Sequence, residues 1–281
     1  MFIVSRALRH LSRVSDVLVR RTLLEREITI FPDDVFLTCY PRSGNTWVRF
    51  LIGNLLQQDP PADFMNIERL VPDMYRTADW LLRRLPRPRI LKSHECFDPR
   101  YKKVIYLVRD PRDVAISNYH MEVKLGSMPE GYPIGQFVRR WMEGQFWPRI
   151  GSWADHVLSW VSTRQGHQGF LLLRYEDLLK DSNGELARIA TLVGREAAPE
   201  TLVRAVELST ADRMRALEKE QGSRWATTFR TRQDKPFVRT ATAGGWRSTL
   251  PAESVASIEA KWGSLMGSLG YELSQPPGGL S

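Results

Sequence analysis

The segment VFLTCYPRSGNTW, residues 35–47, decides the fold of this 281-residue chain. Residues 35–40 form a short, β-rich apolar run, and the chain then breaks at Pro41 into a polar loop. Beyond the loop, apolar side chains recur at helical spacing from Trp47 to Leu55. A run without polar alternation is typical of a strand buried on both faces, as in a parallel sheet. The segment therefore predicts a strand, a turn and a helix.

The same apolar pattern predicts further strands at residues 90–91, 103–108 and 169–174. Helical spacing follows over residues 114–123, 137–147, 153–161, 185–193, 201–208 and 252–269. The Pro-rich stretch 60–88 predicts loops with short helices. Strands that alternate with helices predict an α/β fold: a doubly wound parallel sheet flanked by helices, with right-handed crossovers. Ligands in such folds bind beyond the carboxyl ends of the strands, here after Tyr40, Leu91 and Val108.

The composition predicts an anionic partner and a cytoplasmic location. The chain carries 40 Lys and Arg against 32 Asp and Glu, a net charge of +8. Such a charge indicates a nucleotide, a sulfate, a nucleic acid or an acidic membrane surface as partner. Two cysteines are too few for a disulfide framework and indicate a reducing compartment. The Cys and His residues lack the spacing of metal ligands, so no metal site is predicted.

The first 30 residues predict a basic amphipathic helix. Within residues 1–24, five arginines stand against one aspartate, and apolar residues recur at helical spacing. Such a helix suits peripheral contact with a membrane surface, and it equally suits packing on the domain; the sequence leaves both open. Residues 31–275 predict a single domain, and residues 276–281 a flexible tail.

The loop after the first strand suits an anion. Gly44 allows a tight turn, and Arg42 adds a permanent charge. Small polar donors come from Ser43, Asn45 and Thr46. Backbone N–H groups at the start of the following helix would also point into the loop. It is not a Walker loop, because it lacks a second glycine followed by Lys-Ser or Lys-Thr. Taken alone, the loop also fits a plain turn with Ser or Asn as the helix N-cap.

A second segment that suits an anion follows the strand that ends at Val108. Asp110 is a good N-cap, and proline suits the first helical turn beyond it. Arg109 is then placed at a strand end beside a helix N-terminus, with Ser117 two turns into the helix. A phosphate there would meet a bidentate guanidinium and a hydroxyl. We interpret Arg112 and Asp113 as surface capping and ion-pair residues.

Two anion-ready loops at strand ends suit a nucleotide with phosphate at each end, and the chain resembles a family with that donor. YPRSGNTW (40–47) and IYLVRDPRDVAISNYH (105–120) resemble the signature segments of sulfotransferases that use 3′-phosphoadenosine 5′-phosphosulfate (PAPS). Further similar segments are LKSH (91–94), GSWADHV (151–157), RYEDL (174–178) and FVR (237–239) with Gly244 and Trp246. The similarity runs in family order from about residue 35 to 246. It implies a P-loop-nucleotide-kinase-like sulfotransferase fold.

The resemblance implies a role for each matching residue. Those that would hold the 5′-phosphosulfate are Arg42, Ser43, Gly44, Asn45, Thr46 and Trp47. Arg109 and Ser117 would bind the 3′-phosphate with help from Arg239, and Tyr175 would meet the adenine, near which Trp47 also stacks. The catalytic residues would be His94 as general base, with Lys92 and Arg42 as cations beside the transferring group. The reaction implied is in-line transfer of a sulfuryl group from PAPS to a hydroxyl, and no metal is expected.

Several positions depart from the family pattern. Arg42 stands where the family often has Lys, and Arg is a poor acid for protonating a leaving group. The sequence reads Arg239-Thr240-Ala241 where Arg-Lys-Gly is usual, and Gly245 replaces a common acidic residue. Ala211 falls where an aromatic residue usually sandwiches the adenine. These departures leave the adenine and lid contacts open.

The acceptor is the least defined partner. Residues 63–85 and 121–147 should form much of its pocket, with apolar and aromatic character from Met121, Met128, Tyr132, Phe137, Phe146 and Trp147. This favours an apolar or amphiphilic alcohol or phenol, while lipid and glycan acceptors, and a homodimer, stay open. The alternative enzyme is a nucleotide or small-molecule kinase of related fold, which needs the absent Walker lysine. A nucleic-acid binder is disfavoured, because the arginines are spread rather than clustered.

Overall fold

The computed structural model describes residues 28–274, which fold around a parallel sheet of four strands. The strands are β1 (Val35–Cys39), β2 (Ile90–Ser93), β3 (Lys103–Val108) and β4 (Phe170–Arg174). The predicted tail at residues 276–281 and residues 1–27 of the predicted N-terminal helix lie outside the described residues. Residues 28–30 are neither helix nor strand.

The strand order is β2-β1-β3-β4, with every neighbouring pair parallel. The chain runs outward from β1 to β2, then crosses back to β3 on the other side of β1. The direction of winding therefore reverses between β1 and β3, which makes their carboxyl ends the expected ligand crevice of a doubly wound sheet. The predicted α/β fold with a parallel sheet is confirmed.

Both faces of the sheet are buried, as its apolar runs predicted. On β3, Val104, Tyr106 and Val108 join one hydrophobic core, whereas Ile105 and Leu107 join the core on the opposite face. All five residues of β1 are buried. A strand with apolar side chains on both faces is stable only between two layers of helices, and this explains the unbroken runs.

Helices form those two layers. Their bounds are α1 (Asn45–Leu56), α2 (Ile67–Leu70), α3 (Asp79–Leu82), α4 (Pro111–Leu125), α5 (Ile134–Met142), α6 (Trp153–Arg164), α7 (Tyr175–Lys180), α8 (Ser182–Leu192), α9 (Pro199–Glu207), α10 (Ala211–Gln221), α11 (Trp246–Thr249) and α12 (Ala252–Ser268). Helices α4, α5, α6 and α12 cover one face, and α1, α7, α8 and α9 cover the other. A smaller core of Phe50, Phe64, Met214 and Trp225 lies beside α1.

Helix α5 ends at Met142, before the predicted end at residue 147. The chain turns at Gly144, whose φ of +76° is available mainly to glycine. A Cβ atom on Gly144 would lie 3.1 Å from the carbonyl carbon of Gly151, so the two glycines pinch the base of a loop. We call residues 144–151 the pinched loop.

The start of α4 follows the sequence prediction, but two of its residues do not. Asp110 is the N-cap and accepts a hydrogen bond from the Arg112 amide at 2.9 Å, and Pro111 begins the helix. Arg112 and Asp113 are buried, with 1% and 4% of their surface exposed, so their interpretation as surface residues is wrong. Both do form the predicted ion pairs, Arg112 with Asp110 at 2.7 Å and Asp113 with Arg109 at 3.9 Å. Arg112 packs 3.8 Å above the Trp246 ring and ties α4 to the C-terminal part of the chain.

No helix within residues 28–274 combines the length and the apolar character that crossing a bilayer requires.

Candidate active site

The carboxyl ends of all four strands open into one cavity of about 1060 Å³. Its lining includes the loop after β1, His94 beyond β2, Arg109 beyond β3 and Tyr175 beyond β4. The predicted site residues that line it are Arg42, Gly44, Asn45, Thr46, Trp47, Lys92, His94, Arg109, Ser117, Tyr175 and Arg239. Only Ser43 of the predicted set is not part of the lining, and it lies buried directly behind the loop. Segments far apart in sequence thus meet as the fold predicts.

Gly44 shapes the loop after β1. Its φ is +106°, and a Cβ atom there would lie 2.6 Å from Cδ2 of Tyr175. Both the backbone and the contact exclude a side chain, which confirms the tight turn expected at this glycine. Arg42 also has a positive φ, +72°, a conformation that costs a non-glycine residue roughly 1 kcal/mol.

The polar atoms of this loop are not explained by helix capping. Gly44 itself is the N-cap of α1, and no side chain caps the helix, so a Ser or Asn cap is excluded. Ser43 Oγ and Asn45 Oδ1 are buried without a hydrogen-bond partner among the described residues. Buried polar atoms are normally paired, so the orphaned oxygen of Asn45, which lines the cavity, fits a site for a polar ligand.

Arg42 reaches across the cavity to helix α4. Its Nε donates a hydrogen bond to Ser117 Oγ at 3.2 Å, and its guanidinium lies 4.6 Å from the Phe237 ring centroid. Burial and the neighbouring charges of Arg109 and Arg239 lower the pKa of Arg42 to about 10. Three guanidinium groups therefore share one region of the cavity, an arrangement that a bound anion would stabilise.

Arg109 lies at the carboxyl end of β3, beside the point where the winding of the sheet reverses. Its guanidinium stacks 4.2 Å from the Tyr175 ring centroid and donates a hydrogen bond to the Thr242 carbonyl at 3.0 Å. Asp113 lies 3.9 Å away, and Nε of Arg109 is buried with no partner among residues 28–274. One N–H donor of a fixed guanidinium is thus left for a ligand.

An aromatic corner adjoins these arginines. Trp47 and Tyr175 pack edge to face with ring centroids 5.6 Å apart, and Trp47 Nε1 donates to the Ser209 carbonyl at 3.0 Å. Ala211 lines the same corner, so no aromatic ring closes it from that position. Trp225 lines the cavity instead, with its indole N–H buried and unpaired within the described chain.

His94 is oriented by hydrogen bonds on three sides. Its Nδ1 lies 2.8 Å from the carbonyl oxygen of Cys39, so Nδ1 carries the proton and Nε2 is left as the basic nitrogen. The Tyr75 hydroxyl accepts from the His94 amide at 2.7 Å. His156 Nε2 lies 3.2 Å from the His94 carbonyl, and the Tyr106 hydroxyl donates to His156 Nδ1 at 2.8 Å.

Burial and the charge of Lys92 hold the pKa of His94 well below its ordinary value. A neutral imidazole with its basic nitrogen at a cavity is the arrangement that general-base catalysis requires. Lys92 itself is 9% exposed, and its Nζ donates to Asp73 Oδ2 at 2.9 Å.

One wall of the cavity is mostly apolar. It comes from helix α4, the pinched loop and Phe237, and its apolar residues are Met121, Leu125, Phe146, Trp147, Pro148, Ile150 and Phe237. Met121 and Phe237 contact the Arg42 guanidinium, so this wall adjoins the arginines. Of the residues expected in an acceptor pocket, Met121, Phe146 and Trp147 line the cavity. Met128 and Phe137 are instead buried in the main core. Tyr132 packs against that core and also lies outside the lining.

Residues 222–245 fold over the cavity and are held there by three charged side chains, of which Asp113 and Lys124 are buried. Asp113 accepts hydrogen bonds from the amides of Gly244 at 2.7 Å and Trp246 at 3.0 Å. Glu218 accepts from the Val238 amide at 2.8 Å, and Lys124 donates to the Arg232 carbonyl at 3.0 Å. We call this segment the cover. It brings Phe237 and Arg239 to the cavity.

Sequence reasoning missed Asp73 and Tyr75, which touch Lys92 and His94. Both fall in the Pro-rich stretch 60–88, where no periodicity marks any position as special. The prolines and short helices of this stretch do not indicate which side chains point into the fold. The contact between this segment and β2 determines that orientation. Within residues 28–274, no group of three or more Asp, Glu, His or Cys residues is arranged to hold a metal ion.

Known proteins resemble this chain over nearly its whole described length. The sulfotransferase domain family model matches residues 32–270. Human sulfotransferase 2B1 is 30% identical over 254 residues, covering 85% of this chain and 67% of that protein. Dog sulfotransferase 1B1 is 28% identical, covering 77% of this chain and 78% of its own.

Solved structures agree on the fold. Retinol dehydratase in complex with retinol and PAP superposes with a TM-score of 0.72 at 22% identity, covering 94% of this chain and 88% of that one. Mouse sulfotransferase SULT7A1 complexed with PAP gives a TM-score of 0.67 at 22% identity, covering 85% and 86%. The family match therefore confirms the resemblance seen in the sequence: the chain is an α/β enzyme that belongs to the sulfotransferase family, whose sulfuryl donor is PAPS.

Proposed function

We propose that this enzyme transfers the sulfuryl group of PAPS to the hydroxyl of an apolar or amphiphilic small molecule, with His94 as the general base. One observation carries the proposal. A single cavity holds a cluster of three arginines, a neutral histidine with a free basic nitrogen, and an apolar wall. A donor with anionic groups at both ends suits the arginines, and an apolar acceptor suits the apolar wall.

The orphaned polar atoms support the donor end. Ser43, Asn45 and the backbone N–H groups at the start of α1 would hold the 5′-phosphosulfate, together with Arg42. Arg109 and Ser117 would hold the 3′-phosphate, and Arg239 reaches the same region from the cover. Trp47 and Tyr175 form the aromatic corner in which an adenine would lie.

The transfer needs positive charge and a base at fixed places. When bound, PAPS supplies the sulfuryl group and a bisphosphate leaving group. Arg42 stabilises the negative charge that develops on the bridging oxygen, and Lys92 stabilises the sulfuryl oxygens. His94 removes the acceptor proton through Nε2 as the acceptor oxygen attacks. Arg42 acts by its charge and not as an acid, since it stays protonated at neutral pH.

The apolar wall and a similar solved structure support the acceptor class. Retinol, an apolar alcohol, is bound in one similar structure. Here Met121, Phe146 and Trp147 offer aromatic and flexible apolar surface of the kind that such an alcohol or a phenol would bury. Lipid and glycan acceptors, a cytoplasmic location, a homodimer and a membrane contact of the N-terminal segment stay predictions.

The test is sulfate transfer from labelled PAPS to a panel of 2-naphthol, cholesterol, retinol and a glucosamine disaccharide. We expect turnover of the phenol or the apolar alcohols and none of the disaccharide. Turnover of the disaccharide alone would overturn the proposed acceptor class. A parallel assay with labelled ATP and Mg²⁺ tests the kinase alternative, and phosphate transfer there with no sulfate transfer would overturn the reaction itself.

A further inference from the structure

An acidic residue lies at the centre of the site, beside the proposed catalytic cation. Asp73 lines the cavity and is 5% exposed. Its Oδ2 accepts a hydrogen bond from Lys92 Nζ at 2.9 Å, and its Oδ1 accepts one from the Tyr75 amide at 2.9 Å. A buried carboxylate is an unexpected neighbour for a site that must take up a donor with several negative charges. It therefore needs a role.

The backbone fixes the position of Asp73. The segment carrying it runs beside β2 and forms an isolated parallel bridge with Lys92. The Lys92 amide donates to the Pro72 carbonyl at 2.9 Å, and the Met74 amide donates to the Lys92 carbonyl at 3.2 Å. The bridge thus fixes the backbone of Asp73 next to that of Lys92, and the hydrogen bonds from Lys92 Nζ and the Tyr75 amide orient the carboxylate.

Burial of Lys92 disfavours its charged form, and Asp73 opposes that effect. Burial lowers the pKa of Lys92 below its ordinary value, and Arg49 on α1 adds to that lowering. The groups that oppose it are Asp73, first by charge and then by its hydrogen bond, and more weakly Cys39 on β1. Tyr75 presents its ring 5.1 Å from Lys92 Nζ, and His94 follows on the same strand end.

Asp73 is itself ionised. Burial raises the pKa of its carboxyl, but the charges of Lys92 and Arg49 outweigh burial and hold the pKa below the ordinary value. Arg76 adds a third cation at 3.8 Å. Asp73 and Lys92 therefore form a charged pair, in which the charge of Asp73 partly offsets the effect of Lys92 on His94.

We propose that Asp73 is a positioning residue for the sulfuryl transfer: it keeps Lys92 protonated and aimed into the cavity. This inference rests on the proposed roles of Lys92 and His94. Asp73 touches neither reacting atom, and it acts through Lys92. It also offsets the charge of Lys92 near His94, so the imidazole can still accept a proton from the acceptor.

The first test is Asp73→Asn, which preserves the shape and the acceptor for the Tyr75 amide but removes the charge. We expect kcat for the fastest acceptor of the panel above to fall about tenfold or more, because Lys92 loses its proton or its orientation towards the cavity. The alkaline limb of the kcat profile should move to lower pH by about one unit. The Kd of adenosine 3′,5′-bisphosphate should stay within about twofold, because it lacks the sulfuryl group.

The second test is a double-mutant cycle with Lys92→Met. Because Asp73 acts through Lys92, adding Asp73→Asn to the Lys92→Met enzyme should change kcat by less than about twofold. The double variant leaves no unpaired buried charge, so this comparison remains decisive even if Asp73→Asn alone does not fold. Asp98→Asn is the matched control: Asp98 is equally buried and paired with Arg100, but it does not line the cavity, so the pH profile should be unchanged.

Three outcomes would overturn the inference. The first is a wild-type kcat and pH profile in Asp73→Asn. The second is an equal loss of kcat from Asp73→Asn with and without Lys92, which would make its role independent of the lysine. The third is a wild-type kcat in Lys92→Met, which would remove the proposed role of Lys92 itself. The first two leave the proposed function intact, so the two failures are distinguishable.

Discussion

The tautomer of His94, and with it the ring nitrogen that can act as a base, depends on one hydrogen bond. Because its Nδ1 donates to the Cys39 carbonyl, the ring presents Nε2 as an acceptor, and the tautomer is set by the backbone of β1. Tyr75 and His156 fix the main chain on either side of it. The ring is therefore held in one orientation, with Nε2 as its acceptor.

Replacing His94 by alanine should abolish turnover and spare donor binding. The base would be lost, while the arginines proposed to bind the donor lie in the loops after β1 and β3 and in the cover. We expect kcat to fall by about 100-fold or more, with the Kd of adenosine 3′,5′-bisphosphate changed little. Steady-state kinetics and calorimetry measure the two quantities. An active His94→Ala enzyme would remove His94 from the role of base.

The pH dependence follows from the lowered pKa of His94. In the proposed mechanism the neutral imidazole is the active form, and the pKa of His94 lies well below the ordinary value. Activity should therefore persist as the pH falls through about 6.5, the ordinary histidine value, and be lost only at lower pH. The acid limb of kcat/KM for the donor reports this pKa in the free enzyme. A limb above pH 6.5 would contradict the assignment.

Ala241 occupies a backbone conformation that favours glycine. Its φ is +53°, at the position where the resembling family has glycine. Ala241→Gly should stabilise the protein by about 0.5–1 kcal/mol, because relief of strain outweighs the added freedom of the unfolded chain. Chemical denaturation measures the change. Ala216→Gly, the same substitution on the exposed face of α10, should instead destabilise by about 1 kcal/mol.

Among individual residues, the sequence predicts those whose chemical role belongs to a local motif. Arg42, Gly44 and Arg109 stand directly after apolar strands, so a single strand-end rule places them in one crevice. Asp73 and Tyr75 could not be found this way, because only the bridge to β2 turns them towards Lys92. Arg112 and Asp113 were misread for a related reason: charge alone does not reveal a buried partner on a distant helix.

Among the elements, the strands are better determined by sequence than the helices. An apolar run buried on both faces has sharp polar ends, and β3 occupies the predicted residues 103–108. Helices α7 and α10 had no apolar stripe wide enough to mark them. Helix α5 stops early because a contact between Gly144 and Gly151 overrides its spacing, and no local signal announces that contact.

The cover depends on helix α4 through Asp113. Asp113→Ala removes the acceptor for the Gly244 and Trp246 amides, and two buried N–H groups lose their partner. We expect a loss of about 1–3 kcal/mol of stability and weaker binding of adenosine 3′,5′-bisphosphate, since the cover carries Arg239. Thermal unfolding and calorimetry test both. Asp212→Ala, an exposed partner of Arg215, should change stability by less than about 0.5 kcal/mol.

For the molecule as a whole, the arginine cluster of the cavity accounts for part of the net charge of +8. The composition indicated an anionic partner without choosing among nucleotides, sulfate and larger polyanions. The fold makes the choice, because it brings the loop after β1 and the loop after β3 to the same crevice. The acceptor is not chosen in this way, since apolar walls discriminate weakly between alcohols of similar size.

Adenosine 3′,5′-bisphosphate should stabilise the folded protein strongly. At a hundredfold excess over Kd, binding contributes about 2.7 kcal/mol, which corresponds to a rise in Tm of roughly 5 °C or more. ATP with Mg²⁺ should give a much smaller shift, because it lacks the 3′-phosphate that Arg109 would meet. Differential scanning fluorimetry compares the two. Stabilisation by ATP alone would contradict a donor site for PAPS.

The pinched loop has a consequence for how this enzyme could change. Its two ends meet at Gly144 and Gly151, yet the residues between them supply much of the apolar wall. Because the segment leaves and re-enters the scaffold at one point, its cavity-facing side chains can be exchanged without displacing the sheet as long as Ile150 keeps its place in the core. Selection, or a laboratory graft, could therefore retune which molecules are sulfated while the nucleotide machinery is inherited untouched.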